Sequence, residues 1–166
     1  LWNVTPDTEI YASLTRSSEV PTFSELVQGA VPGFVPVKLQ KAWTAELGTR
    51  GYEDRISWDF TLYHARIRDE MLQFSTGPTI PASTFNADET IHRGIELGLG
   101  WQASDSISFQ AIYNYNDFYF DGDAQFGNNK LAGAPPHQLR LSGRYQNHDF
   151  YIEPNLEIVP DAAYVD

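Results

Sequence analysis

Few side chains in this sequence are spaced so that they could carry a reaction. Glu153 and Glu157 lie four residues apart in a segment of strand-like alternation, and paired carboxylates are the equipment of glycoside hydrolysis. Four residues of extended chain separate them by about 13 Å, beyond the roughly 5 to 9.5 Å that such a pair spans. A working pair would need its second carboxylate from a neighbouring strand. His64, His92, His137 and His148 show neither Glu-x-x-His nor His-x-x-x-His spacing, so no preformed metal site is expected; His92 reads as a structural hydrogen-bonding group. The stretch "DGDAQFGNN" opens like a calcium loop with Asp121, Asp123 and Gln125, but it has no Gly at the sixth position and no closing Glu. An ordinary solvated loop is the expectation. No Gly-x-Ser-x-Gly elbow occurs, and "GLG" is not followed by a helical pattern. Catalytic residues, metal and cofactor are therefore all read as none, and the chain as something other than an enzyme.

The elements that hold these residues are strands. With 166 residues the chain is long enough for an ordered domain. Lys and Arg number 11 against 22 Asp and Glu, a net charge of −11, which argues against nucleic acid because its binding rests on neutralising phosphates. The absence of cysteine removes disulfides and thiolate metal sites. No run approaches the roughly 18 apolar residues of a membrane helix, but a membrane strand needs only about 9 to 11 residues and shows them at every second position.

Period-two alternation predicts seven strands, over residues 8–16, 42–50, 56–70, 90–101, 106–120, 136–146 and 149–159. In the fourth, Ile91, Ile95, Leu97, Leu99 and Trp101 oppose His92, Gly94, Glu96, Gly98 and Gly100; in the fifth, Ile107, Phe109, Ala111, Tyr113 and Tyr115 oppose Ser108, Gln110, Asn114 and Asn116. The third is regular through Leu62, but "YHARIRDE" carries charges at both parities, so that end is expected to project beyond the apolar medium. The turns "GYEDR", "QASDS" and "QNHD" are short, whereas residues 17–41, 75–89 and 121–135 are long and rich in Gly, Pro, Asn and Asp. Short and long connections alternate, which in an antiparallel meander gathers the tight turns at one end and the long loops at the other, the asymmetry of outer-membrane barrels.

Aromatics add to this. Trp58, Trp101, Phe109, Tyr145 and Phe150 fall on the apolar face near the short turns, and Tyr113 and Tyr115 lie nearer the long loops, as two interfacial girdles would. The other face carries Glu46, Arg50, Glu96, Arg140, Arg144, Glu153 and Glu157 among glycines, with His92. Mixed acids and arginines beside glycine suit a lumen wall against which a plug packs closely. Lipid is then the solvent of the apolar face.

The pieces "IYASLTRSSEVPTFSELVQ", "KAWTAELGTRG" followed by "ISWDFTLYHARIRDEM", "TFNADETIHRGIELGLGW" and "YNYNDFYFDGDAQFGNNKLAGAPPHQLRLSGRYQ" resemble, in order and spacing, the C-terminal half of the barrel of TonB-dependent outer-membrane receptors. The resemblance covers nearly the whole chain. It implies an all-β antiparallel up-and-down meander, a partial segment of a 22-stranded transmembrane β-barrel. It also implies uptake of a scarce ligand such as a ferric siderophore across the outer membrane of a Gram-negative cell. The implied partners are outer-membrane lipid, the receptor's own plug domain and the periplasmic energy-coupling protein TonB, reached through N-terminal parts. Plug, energy-coupling box and last strands are expected to lie outside residues 1–166. At roughly 24 residues per strand, a 22-stranded barrel needs about 500 residues, so the chain is expected to be strands thirteen to nineteen by analogy.

Ligand contacts are expected in the long loops, at Phe23, Phe34, Phe126, Asn128 and Lys130. Two rival architectures also fit the alternation: a complete barrel of about eight strands with a structural or adhesive role, and a soluble carbohydrate-binding β-sandwich or β-hydrolase.

Overall fold

The computed structural model describes residues 1–27, 36–74 and 83–160; Phe34 lies outside them. Among the described residues nine strands form a single antiparallel sheet: β1 (Trp2–Thr5), β2 (Thr8–Glu19), β3 (Gln40–Glu53), β4 (Ile56–Phe74), β5 (Ser83–Ser104), β6 (Ile107–Phe120), β7 (His137–Gln146), β8 (Tyr151–Ile152) and β9 (Asn155–Ile158). Neighbours in sequence are neighbours in the sheet from β1 to β8, and β9 pairs with β7 beside β8. One short helix, α1 (Phe23–Leu26), follows β2. The sequence reading placed only a loop there; at the start of α1 the Thr22 amide donates to the Glu25 carboxylate at 2.5 Å.

The seven expected strands are present, with three differences. β1 is additional; four residues before Pro6 and Asp7 are too few to show an alternation. β4 and β5 run on to Phe74 and back from Ser83, so much of the expected loop 75–89 is strand. The last strand is split into β8 and β9 at Glu153–Pro154, because proline has no N–H for the ladder. The register survives the break: Tyr145 pairs with Ile152 and Leu141 with Leu156.

Short turns join β1–β2, β3–β4, β5–β6 and β7–β8, and longer connections join the pairs between. Asp54 takes φ 51° in the β3–β4 turn, a left-handed conformation that Asp tolerates. In the β7–β8 turn the Asn147 side chain accepts the amides of Asp149 and Phe150 at 2.8 and 2.9 Å, an Asx turn.

Paired residues share a face, so the register sorts the sheet into rows. The apolar rows, climbing from the short turns, are Ile56·Trp101·Phe109, then Trp58·Leu99·Ala111·Leu141·Leu156, then Ile10·Thr49·Phe60·Leu97·Tyr113·Leu139·Ile158, then Ala12·Leu47·Leu62·Ile95·Tyr115·His137. Above them the same face turns polar: Leu14·Ala45·His64·Arg93·Asp117, then Arg16·Trp43·Arg66·Ile91·Tyr119, then Ser18·Lys41·Arg68·Glu89. Ten residues of strand from Ile56 to Arg66 cover about 34 Å; at a tilt of about 40° that is roughly 26 Å of height, close to the ~25 Å apolar band of a membrane barrel. The mixed charges of "YHARIRDE" therefore begin where such a band ends.

Among the described residues no second layer covers the apolar rows. Leu47, Trp101 and Phe109 are 52%, 52% and 47% exposed, and the sheet is one continuous layer with β1 and β8 at its edges. It is neither a sandwich nor a closed eight-stranded barrel.

Candidate functional site: the polar wall and the loop above it

The opposite face carries the residues assigned to it from the sequence, Glu46, Arg50, His92, Glu96, Arg140, Arg144, Glu153 and Glu157. Its rows are Glu9·Arg50·Asp59·Gly98·Ile112·Arg140·Glu157, then Tyr11·Gly48·Thr61·Glu96·Asn114·Gln138, then Ser13·Glu46·Tyr63·Gly94·Asn116, then Thr15·Thr44·Ala65·His92·Phe118. Arg50 donates to Glu9 at 2.8 Å, Ser13 donates to Glu46 at 3.0 Å, and Arg140 meets Glu157 at 3.5 Å. Arg144 meets Glu153 at 3.4 Å and stacks its guanidinium over Tyr151 at 4.6 Å. Glu153 and Glu157 are thus each engaged by an arginine of β7. Glu96 stands between Thr61 and Asn114, exposed.

The glycines of this wall play two parts that the sequence did not separate. At Gly48 the ring of Tyr11 crosses the vacant Cβ position, and its hydroxyl meets the Thr61 hydroxyl on the next strand at 2.5 Å. At Gly94 the ring of Tyr63 does the same, and its hydroxyl donates to Asn116 Oδ1 at 2.8 Å. Each tyrosine leaves one strand, crosses a glycine on the second and bonds to the third. Those two glycines are occupied by the wall's own side chains. Gly98 is open: a Cβ there would meet nothing nearer than Asp59 at 3.9 Å. It lies in a shallow depression with Arg50, Asp59, Gly100 and Gln110, near the short turns.

Higher up, His92 has the structural role expected of it, with partners the sequence had not suggested. Its ring stacks on Phe118 with centroids 4.3 Å apart, and its Nε2 lies 3.2 Å from the Glu70 carboxylate, which also accepts the hydroxyl of fully buried Thr90. Beside Glu70, Asp69 takes φ 54° and its pairing with Asp88 is missing from the ladder, while the register is the same on both sides of the gap.

The loop after β6 is bonded internally. Asp123 accepts the amides of Gln125, Phe126 and Asp88 at 2.8, 2.9 and 3.0 Å. Burial alone would raise this carboxyl; the backbone amides outweigh it and hold Asp123 below the usual carboxylate range. Phe126 packs between Phe120 and Phe85, at 4.6 and 5.5 Å. Asn128 accepts the Gly122 amide at 2.9 Å, and Lys130 pairs with Asp117 and lies over the Tyr119 ring. These three expected ligand contacts thus all have structural partners of their own, and the loop, mostly exposed as a solvated loop should be, is also bonded internally. Phe23 on α1 is exposed. Among the described residues no three His, Asp or Glu side chains gather in a way that could hold a metal ion.

No curated protein matches the chain in sequence. Among solved structures, the copper transporter OprC superposes with a TM-score of 0.77 at 20% identity, over 95% of this chain and 25% of that one. The ferric yersiniabactin uptake receptor FyuA from Yersinia pestis gives 0.72 at 18% identity, over 93% and 23%. The alcaligin outer-membrane receptor FauA from Bordetella pertussis gives 0.62 at 17%, over 94% and 27%. The chain thus spans about a quarter of the length of these structures, and at such identities they establish the fold. The family model described as TonB dependent receptor-like, beta-barrel, matches residues 1–166, and the chain belongs to that family.

Proposed function

We propose that residues 1–166 are part of the wall of an outer-membrane receptor that takes up a scarce ligand, a ferric siderophore being the leading class, with energy supplied through TonB. The observation that carries this reading is the uncovered apolar band. A single sheet exposes Trp101, Phe109, Leu99 and Leu47 in contiguous rows, a patch that a soluble domain would bury, and its height matches hydrocarbon. The opposite face, with its ion pairs and open Gly98 depression, then looks into a lumen filled by the receptor's plug. The long connections lie on the extracellular side.

Among the similar structures FyuA is a ferric yersiniabactin uptake receptor, FauA an alcaligin receptor and OprC a copper transporter, and the shared geometry is compatible with either an iron-chelate or a copper cargo. Two experiments test the reading. The full-length parent protein should fractionate with outer membranes and require detergent for extraction; a monomer soluble in plain buffer would end the membrane interpretation. Deletion of the parent gene should slow growth on particular ferric chelates as sole iron source. If growth on every chelate is unchanged while copper accumulation falls, the siderophore class is wrong and the transport reading stands.

A further inference from the structure

Two depressions on the apolar face run together, one greasy and one charged. The upper, of about 590 Å³, holds small Ala111 and Gly143 between Leu99, Trp101, Leu141 and Leu156. Its shape has local causes. Ala111 is the short member of the row Trp58·Leu99·Ala111·Leu141·Leu156, Gly143 has no side chain, and the last strand is broken at Pro154, which lines the same groove. The lower depression is lined by Glu53, Asp54 and Arg55 at the β3–β4 turn together with Ile56, Trp58 and Trp101. Ile56 and Trp101 belong to both, so an apolar groove ends on three consecutive charged residues.

Those three residues are exposed, and no ion pair among the described residues uses them. Arg55 is nonetheless fixed in place. Its Nη1 donates to the Ala103 carbonyl of the neighbouring β5–β6 turn at 3.1 Å, and its own carbonyl accepts the Gln102 amide at 2.8 Å. The guanidinium is thereby held at the foot of the groove with further N–H groups to offer.

We infer that the groove binds one phosphatidylethanolamine molecule of the periplasmic leaflet, an inference that rests on the membrane reading given above. In that reading the tight turns face the periplasm, so the charged foot stands at headgroup depth and the groove at the depth of the upper acyl chain. A notch in an otherwise filled row gains dispersion contacts when a chain fills it. The headgroup then supplies the choice. A guanidinium matches phosphate oxygens, and carboxylates one and two residues away suit a primary ammonium, which has three N–H donors. With two acids to one arginine, the turn repels a headgroup that is only anionic.

The test uses the full-length parent receptor in detergent micelles, with native mass spectrometry reading retained lipid. The probes are phosphatidylethanolamine, phosphatidylcholine, phosphatidylglycerol and diacylglycerol with identical acyl chains. Phosphatidylethanolamine should be retained about three- to fivefold more strongly than each of the others. Arg55→Gln should lower its retention about threefold, toward that of diacylglycerol. Glu53→Gln with Asp54→Asn, an asparagine that tolerates the left-handed backbone at 54, should reverse the preference in favour of phosphatidylglycerol. Ala111→Phe, which fills the notch with an apolar ring, should weaken all four lipids together. Should it lose heat-modifiable migration, Ala111→Leu is expected to give a smaller loss in the same direction. Equal retention of the three phospholipids, as for lipid that merely surrounds the barrel, overturns the inference, as does unchanged phosphatidylethanolamine retention by folded Arg55→Gln or by both Ala111 variants. A parent protein that never enters detergent micelles would instead overturn the underlying membrane reading.

Discussion

Two glycines four residues apart on β5, on the same face of the same wall, should respond to alanine with opposite signs. At Gly94 a methyl group would fall within the van der Waals envelope of the Tyr115 backbone oxygen, 2.5 Å from the Tyr63 hydroxyl oxygen and 2.7 Å from its ring. The tyrosine could swing away, but the carbonyl belongs to the β5–β6 ladder and cannot move without opening it. Overpacking of this kind costs about 1 to 3 kcal/mol, and loss of the Tyr63–Asn116 hydrogen bond adds about 1 kcal/mol. Gly94→Ala should therefore destabilise by roughly 2 to 4 kcal/mol. At Gly98 the nearest atom is 3.9 Å away, and alanine removes the entropic handicap of glycine in a strand, a gain of about 0.5 to 1 kcal/mol. Urea unfolding of the full-length parent in lipid vesicles, followed by tryptophan fluorescence, reads both. Adding Tyr63→Ala to Gly94→Ala should leave most of the defect in place, because the backbone obstacle remains. Equal effects at the two glycines, or full rescue by Tyr63→Ala, would refute the reasoning.

Leu97→Arg, in the middle of the apolar band, should cost about 2 to 4 kcal/mol in the same assay, whereas Ser108→Arg on the other face should cost far less; similar penalties would mean that the faces are misassigned. Tyr11→Phe should weaken the wall by about 0.5 to 1.5 kcal/mol through loss of the Thr61 contact, with slower migration of the heated sample at a lower temperature as the sign. Asp123→Asn should lower amide-exchange protection at Gln125 and Phe126 by about 1 to 2 kcal/mol at neutral pH. Because the folded carboxyl is depressed, its contribution is complete above the unfolded value of about 3.9. It disappears as pH falls through the folded value, so mutant and wild type should converge in strong acid.

Alternation made the faces legible: every residue assigned to the polar wall, from Glu46 and Arg50 to Arg140 and Glu157, is on one side of the sheet. The alternating loop lengths held as well, and β1 extends them by one more short turn. Partners were a different matter. Nothing local marks Tyr63 as the filler of Gly94, since the two are 31 positions apart and meet only once the register is known. Glu70 looked like one charge in a run of mixed parity; its place beside Thr90 and His92 emerges only in the folded sheet. In the loop, Asp123 and Asn128 suggested solvent or ligand by residue type, and their side chains are taken by backbone amides instead.

The two tyrosines also bear on how such a barrel avoids misassembly. A one-step slide between strands exchanges greasy and wet faces and is rejected at once, but a two-step slide preserves them and meets no objection from hydrophobicity. Such a slide would drive the ring of Tyr11 onto Glu46 or Arg50, and that of Tyr63 onto His92 or Glu96. β4 supplies the hydroxyl partner for one latch and the ring for the other, so a fault on either side of it would be felt across five consecutive strands.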